Sequence, residues 1–274
     1  MMNKLLFLSM MMLTGIYAYS IEPVKTYSSK PSDYGMNYSE IKIPVSDGAE
    51  LNAWMFKATK TSYKIMVLSD DGKGNMADLL EHVSMFLSLG YHVLTYDYRG
   101  FGESSDFEMK NEFYMYAQFE KDLNAVVDYI KKNHSSIPRI HFYGVGMGAG
   151  LAISVACNRD IPFVIADSPY QTLDQIQAKI KEVSGTEVKI PLGFDKSLIE
   201  PKYALPKKGN YLGGLMLIVG DKDMIYTVKD IKEIQKMGPK NTQLYVVKNS
   251  NGDNNYKVDK DKYLEILKEF LKST

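Results

Sequence analysis

The residues with the most chemical content lie at positions 139–150, RIHFYGVGMGAG, where an apolar run breaks into alternating glycines and continues as a helical pattern through Cys157. A strand, a sharp turn and a helix start in that order serve two different chemistries. In G-x-S-x-G, small flanking residues let the turn expose a strained serine nucleophile at the helix N-terminus. In G-x-G-x-x-G/A, glycines let the backbone approach a pyrophosphate. Gly144, Gly146 and Ala149 fit the second pattern, and Asp167 stands at about the distance of a ribose-binding acid. The first pattern puts its nucleophile position on Gly146, which has no side chain.

The elements that position these residues follow from hydrophobic periodicity. Apolar runs at 41–45 and 51–56 flank Asp47-Gly48 and predict an antiparallel hairpin. Further strands are expected at 64–69, 92–96, 140–143, 162–166, 215–219 and 243–247. Helical patterns separate them, among them Phe119, Leu123, Val126, Val127 and Ile130, and a last one carries Tyr263, Ile266, Leu267, Phe270 and Leu271. Such alternation predicts an α/β fold with a mostly parallel central sheet and helices on both faces. Ligands then sit at the carboxyl ends of the strands. Residues 170–211, with Pro191, Pro201 and Pro206, predict a small lid-like excursion over those ends.

Two further segments weigh against the dinucleotide pattern, as does its place after four strands. Residues 96–104, YDYRGFGES, resemble the D-x-R-G-x-G-x-S segment of the α/β-hydrolase family, and 217–223, LIVGDKD, resemble that family's G-x-x-D stretch. The likeness covers nearly the whole chain after the first twenty residues and points to the serine esterase and aminopeptidase-like branch. It implies an α/β-hydrolase fold with Asp223 as the triad acid and Gly146 at the nucleophile position. The resemblance also implies a histidine in the loop 250–258, where Gly252-Asp253 stands instead. All four histidines, His82, His92, His134 and His141, precede residue 142. His92 and His141 begin strands, and His82 falls inside a helix. Nucleophile and base are both missing, and a triad stripped of both retains little beyond binding.

What survives on this reading is a backbone cradle at Gly72, Lys73, Gly74 and the Met147 amide, beside Asp71, suited to a carbonyl or carboxylate ligand. Asp70, Asp71, Asp167, Asp221, Asp223 and Asp253 also map to strand ends, where Asp commonly caps helices. Convergence of Asp71, Asp223 and Asp253 would make a hard oxygen site for Ca²⁺. Arg99 and Asp97 are expected to fix loop geometry, and Cys157 to be a buried apolar residue.

Composition bounds the rest. With 274 residues, 45% of them hydrophobic, the chain can bury one large core. The balance of 33 basic against 33 acidic residues, with only three Arg, removes the electrostatic footprint of nucleic-acid binding. One Cys excludes an internal disulfide. Lys4, the apolar stretch 5–18 and the small residues Ala18 and Ser20 predict a cleaved signal peptide over 1–20, hence a secreted or periplasmic protein with no membrane span after cleavage. Residues 21–36 then form an N-terminal extension and 37–274 a single domain. The expectation is a catalytically inactive hydrolase-like protein that binds an unidentified small molecule or protein. The alternatives are an active serine hydrolase with a relocated nucleophile at Ser69, Ser104 or Ser168, and a dinucleotide binder.

Overall fold

The structure, a computed structural model, describes residues 19–208, 211–252 and 254–272. The leader expected over 1–20 therefore lies outside the described residues, apart from Tyr19 and Ser20, and so does Asp253. In chain order the elements are β1 (Glu22–Pro23), β2 (Ser39–Pro44), β3 (Glu50–Phe56), β4 (Lys64–Ser69), β5 (Lys73–Gly74), α1 (Leu80–Ser88), β6 (His92–Tyr96), α2 (Phe119–Asn133), β7 (Arg139–Val145), α3 (Gly146–Arg159) and β8 (Phe163–Asp167). There follow α4 (Leu173–Ser184), α5 (Lys196–Ile199), α6 (Pro201–Lys208), β9 (Gly214–Gly220), α7 (Val228–Met237), β10 (Thr242–Val247), α8 (Asn255–Val258) and α9 (Lys260–Leu271).

Eight strands form one sheet in the order β10-β9-β8-β7-β4-β6-β3-β2. From β10 to β6 every pairing is parallel, and β3 joins β6 antiparallel before turning through Asp47-Gly48 to β2. Successive residues of each central strand serve opposite faces. Ile65 and Val67 of β4 pack into the layer of α2 and α3, whereas Met66 and Leu68 pack against α1 and α9. Both faces are thus buried, which is why these strands read as unbroken apolar runs rather than as alternation. Cys157 is buried within α3, as expected.

The start of the N-terminal extension, 21–24, packs on this architecture. Ile21 is fully buried, and β1 pairs in parallel with β5 just beyond the carboxyl end of β4. The Ile21 amide donates to the Phe113 carbonyl, and the Tyr114 amide donates to that of Lys189. Three segments far apart in sequence are so tied together over the same edge of the sheet. Within 170–211 the excursion is helical, but α5 and α6 lie against α3, where Asn158 donates to the Ser197 carbonyl at 2.8 Å. Among the described residues, no helix is long and apolar enough to cross a membrane.

Arg99 holds the turn after β6 in place. Its backbone N–H and guanidinium donate to Asp122 of α2, and the guanidinium also reaches Asp47 in the β2–β3 turn at 3.0 Å. Asp122 is fully buried. Removing one member of a buried ion pair strands the other charge. Arg99→Leu is expected to lower the unfolding free energy by about 3–5 kcal/mol, read by urea denaturation at neutral pH, with part of the loss recovered when Asp122→Asn is added.

Candidate functional site

The glycine-rich turn forms a strand, a one-residue corner and a helix. Gly146 sits at the corner with φ +53°, a left-handed conformation that disfavours side chains. Helix α3 starts very close to the sheet, since a Cβ on Gly148 would stand 2.6 Å from the Ser69 carbonyl oxygen. That contact requires glycine at 148 for close packing of helix on strand. Asp167 is unavailable to a ribose: it is buried and accepts from Asn255 Nδ2 at 2.5 Å, Tyr263 Oη at 2.9 Å and Ser168 Oγ at 3.2 Å. The ribose-binding acid that the dinucleotide alternative needs is therefore occupied by Asn255, Tyr263 and Ser168.

A cavity of about 420 Å³ opens in front of Gly146. Its polar lining includes Asp71, Lys73, Tyr114, Ser168, Lys222, Asp223, Tyr226 and Asn251, together with Tyr19 and Ser20. The last two thus belong to the site, although the reading of residues 1–20 as a leader had placed them outside the fold. Among the described lining residues there is no histidine. A Cβ on Gly146 would meet the Asp71 Cβ at 3.2 Å and the Tyr226 hydroxyl at 3.6 Å. Tyr226 Oη in turn lies 3.1 Å from Tyr114 Oη. Burial pushes both phenols well above their ordinary pKa, and the Asp223 and Asp71 carboxylates add to the rise at Tyr226. Both stay protonated as donors. One O–H can join the pair while the other remains to meet a ligand.

Asp223, which the resemblance puts at the position of the triad acid, accepts from the amides of Ile225 and Tyr226 at 2.9 Å each through Oδ1. It thereby positions Tyr226. Its other oxygen faces Gly252, in the loop where the resemblance implies a histidine.

The expected cradle is only partly present. The Gly72 amide donates to Asp70 Oδ1 and the Lys73 amide to Asp71 Oδ1, both at 2.9 Å, so neither is free to hold an oxyanion. Asp side chains capture amides two residues on in this way wherever the chain turns. Met147 is buried with its side chain under Gly72 and does not line the cavity. Gly74 lines a neighbouring cavity, not this one. Of the carboxylates expected to converge on a cation, Asp71 and Asp223 share the cavity, while Asp253 lies outside the described residues. Among the described residues, no group of three metal-ligating side chains is placed to hold a metal ion.

The candidate serines separate clearly. Ser69 is fully buried with Oγ 3.1 Å from Tyr96 Oη, and Ser104 Oγ donates to the Asp97 carbonyl at 2.8 Å. Ser168 alone of the three lines the cavity, with φ +56°. Tyr114 and Tyr226 had no signal in the sequence as site residues, because neither falls in a motif and their approach depends on distant segments.

Comparison with known proteins agrees with this architecture. Residues 64–181 match the family model described as Hydrolase_4, serine aminopeptidase, S33. The chain is 28% identical over 217 residues to the uncharacterized protein YqkD of Bacillus subtilis, covering 72% of this chain and 67% of that one. It is 25% identical over 227 residues to the lysophosphatidylserine lipase ABHD12 of Xenopus tropicalis, covering 71% of this chain but 56% of the relative. Against the same lipase of Gallus gallus the match spans 46% of the relative's length. Among solved structures, the Pyrococcus furiosus esterase Pf2001 superposes with a TM-score of 0.74 at 23% identity, covering 92% of this chain and 97% of the esterase. An α/β serine hydrolase homologue from Coxiella burnetii gives 0.60 at 14% identity, covering 84% and 96%. The chain has the α/β-hydrolase fold, and the matched model supports the family.

Beside the site, one buried carboxylate ties the N-terminal segment to the sheet. Asp97 accepts from Tyr27 Oη at 2.5 Å and from the Met76 amide at 2.8 Å. Burial raises its pKa to about 6 despite these donors. The folded state therefore holds this proton more tightly than the unfolded chain, and the stabilisation, complete below about pH 4, is lost as pH rises through 6. Urea denaturation across pH 4 to 7 is expected to show wild type losing up to about 3 kcal/mol relative to Asp97→Asn. Parallel profiles for the two proteins would contradict this.

Proposed function

We propose that this protein is an exported, catalytically inactive hydrolase-fold receptor, which binds a small ligand through a carbonyl or carboxylate oxygen in the cavity over Gly146. The observation that carries this reading is the elbow itself: strand, corner and helix are retained, yet the corner is glycine and the Tyr226 hydroxyl stands where a nucleophile would approach its substrate. Two phenols held protonated and the Lys73 ammonium are donors to an acceptor oxygen. None of them transfers an acyl group without a base. Export rests on the leader-like residues 1–20; cleavage after Ser20 would take Tyr19 and Ser20 from the rim of the cavity and leave the rest of its lining in place, and N-terminal sequencing of the protein from its native host tests it.

A second reading is favoured by Ser168, whose strained backbone, place in the cavity and hydrogen bond to Asp167 are what a relocated nucleophile would need. On the first reading, butyrate and butyramide titrated into the protein bind without being consumed, and Tyr226→Phe weakens butyrate about tenfold. Gly146→Ser is expected to hydrolyse short acyl esters no faster than wild type, and to lower stability by about 1–2 kcal/mol through left-handed strain. Ester turnover in that variant, or butyrate binding indifferent to Tyr226→Phe, would overturn the proposal.

A further inference from the structure

The cavity over Gly146 is bounded in part by residues that leader cleavage removes. Tyr19 and Ser20 line it, and Ser20 is buried there. The residue that follows is fixed by contacts that owe nothing to those two. Ile21 is 1% exposed, and its Cγ2 lies 3.3 Å from where a Cβ on Gly72 would stand. The Glu22 amide donates to the Gly72 carbonyl at 2.8 Å and the Val24 amide to that of Gly74 at 2.9 Å. Asn75 Nδ2 donates to the carbonyls of Val24 and Thr26, and Tyr27 Oη donates to Asp97. These bonds hold position 21 in place when the peptide bond before it is broken.

At that position the chain meets the cavity. The Ile21 amide has one N–H, which donates to the Phe113 carbonyl at 2.9 Å, and Phe113 precedes the cavity-lining Tyr114. When a signal peptidase hydrolyses the Ser20–Ile21 bond, water gives its hydroxyl to the Ser20 carbonyl carbon and its proton to the Ile21 nitrogen. The product is an α-amine with an ordinary pKa of about 8, which takes a further proton from solvent at neutral pH. One N–H keeps the Phe113 carbonyl. Tetrahedral geometry directs another along the broken bond, into the space that Ser20 leaves. The same cut removes Tyr19, whose ring centroid lies 5.8 Å from the Lys73 ammonium. Among the described lining residues, the carboxylates of Asp71 and Asp223 balance the ammonium groups of Lys73 and Lys222. One further cation tips that balance to positive.

We propose that in the exported protein the α-ammonium of Ile21 forms part of the wall of this cavity and makes it a site for small carboxylates rather than for neutral carbonyl compounds. The inference rests on export and on oxygen binding over Gly146, and it names the ligand class for that site. Tyr114 and Tyr226 can donate to a carboxylate or to an amide oxygen alike. A charged N–H donor adds more to the carboxylate, so the processed N-terminus is what separates the two.

The test compares the full chain, made by membrane-free translation so that the Ser20–Ile21 bond stays intact, with the exported protein from its native host. Butyrate and butyramide, alike in shape and different in charge, are titrated into each. The exported protein is expected to begin at Ile21 and to prefer butyrate over butyramide about tenfold more strongly than the full chain does. Transamination with pyridoxal phosphate turns an N-terminal α-amine into a ketone and leaves lysine side chains as amines, and it is expected to abolish that gain. An N-terminus other than Ile21, an equal preference in both forms, or a preference that survives transamination overturns the proposal. Butyramide binding as tightly as butyrate to the exported protein overturns it too, while leaving oxygen binding over Gly146 intact. A gained butyrate preference that is indifferent to Tyr226→Phe supports it and contradicts only the role given to that phenol. Binding of neither compound to the exported protein overturns both.

Discussion

Helix α3 begins almost in contact with the backbone of β4. A side chain on Gly148 would overlap the carbonyl oxygens of Ser69 and Asp70, and one on Gly144 would overlap the first turn of the helix. The alternating glycines are therefore a packing requirement before they are anything chemical. Once the helix sits that close, the chain must turn from β7 within one residue, which forces Gly146 to φ +53°. The cavity, the loop after β4 on one side and the Asp223 loop on the other are all placed by this corner.

On the inactive reading proposed above, the same corner explains how a hydrolase scaffold would lose its chemistry without losing its shape. Strand, turn and helix depend on the glycines and on apolar burial, not on what projects from position 146. Asp223 keeps a structural task, since its carboxylate caps the amides of Ile225 and Tyr226 and so aims the phenol at the corner. Asp70 and Asp71 occupy the amides that follow them and thereby close much of what would be an oxyanion hole. Phenols, ammonium groups and hydrogen-bonded carboxylates remain at the cavity, which on the proposed reading serve recognition rather than proton transfer.

Most of the fold was legible because its strands are buried on both faces and its helices are amphipathic. The strands at 64–69 and 92–96 fall where periodicity puts them, and the elbow and Asp223 could be read from local motifs. The parts that escaped are assembled from afar. Tyr114 reaches the cavity because Phe113 is bonded to Ile21 and Tyr114 to Lys189, and no window of sequence contains that ladder. Ile21 to Val24 looked like a tail because two-residue strands have no periodicity. The occupied amides of Gly72 and Lys73 did have a local signal, since Asp-Asp-Gly is turn chemistry in which the side chain takes the backbone donor. His82 falls inside its helix as the sequence predicts, while its place beside Tyr143 and Tyr256 follows from how α1 packs and had no local signal.

The claim at the centre of this account is that no serine in the chain is an activated nucleophile. Incubating the wild-type protein with a fluorophosphonate probe and mapping adducts by peptide mass spectrometry tests it directly, because such probes report serine activation whatever the substrate. The account predicts an unlabelled protein, native or heat-denatured alike. A stoichiometric adduct on Ser168, formed by the native protein and lost on denaturation, would contradict it and make the chain a working hydrolase.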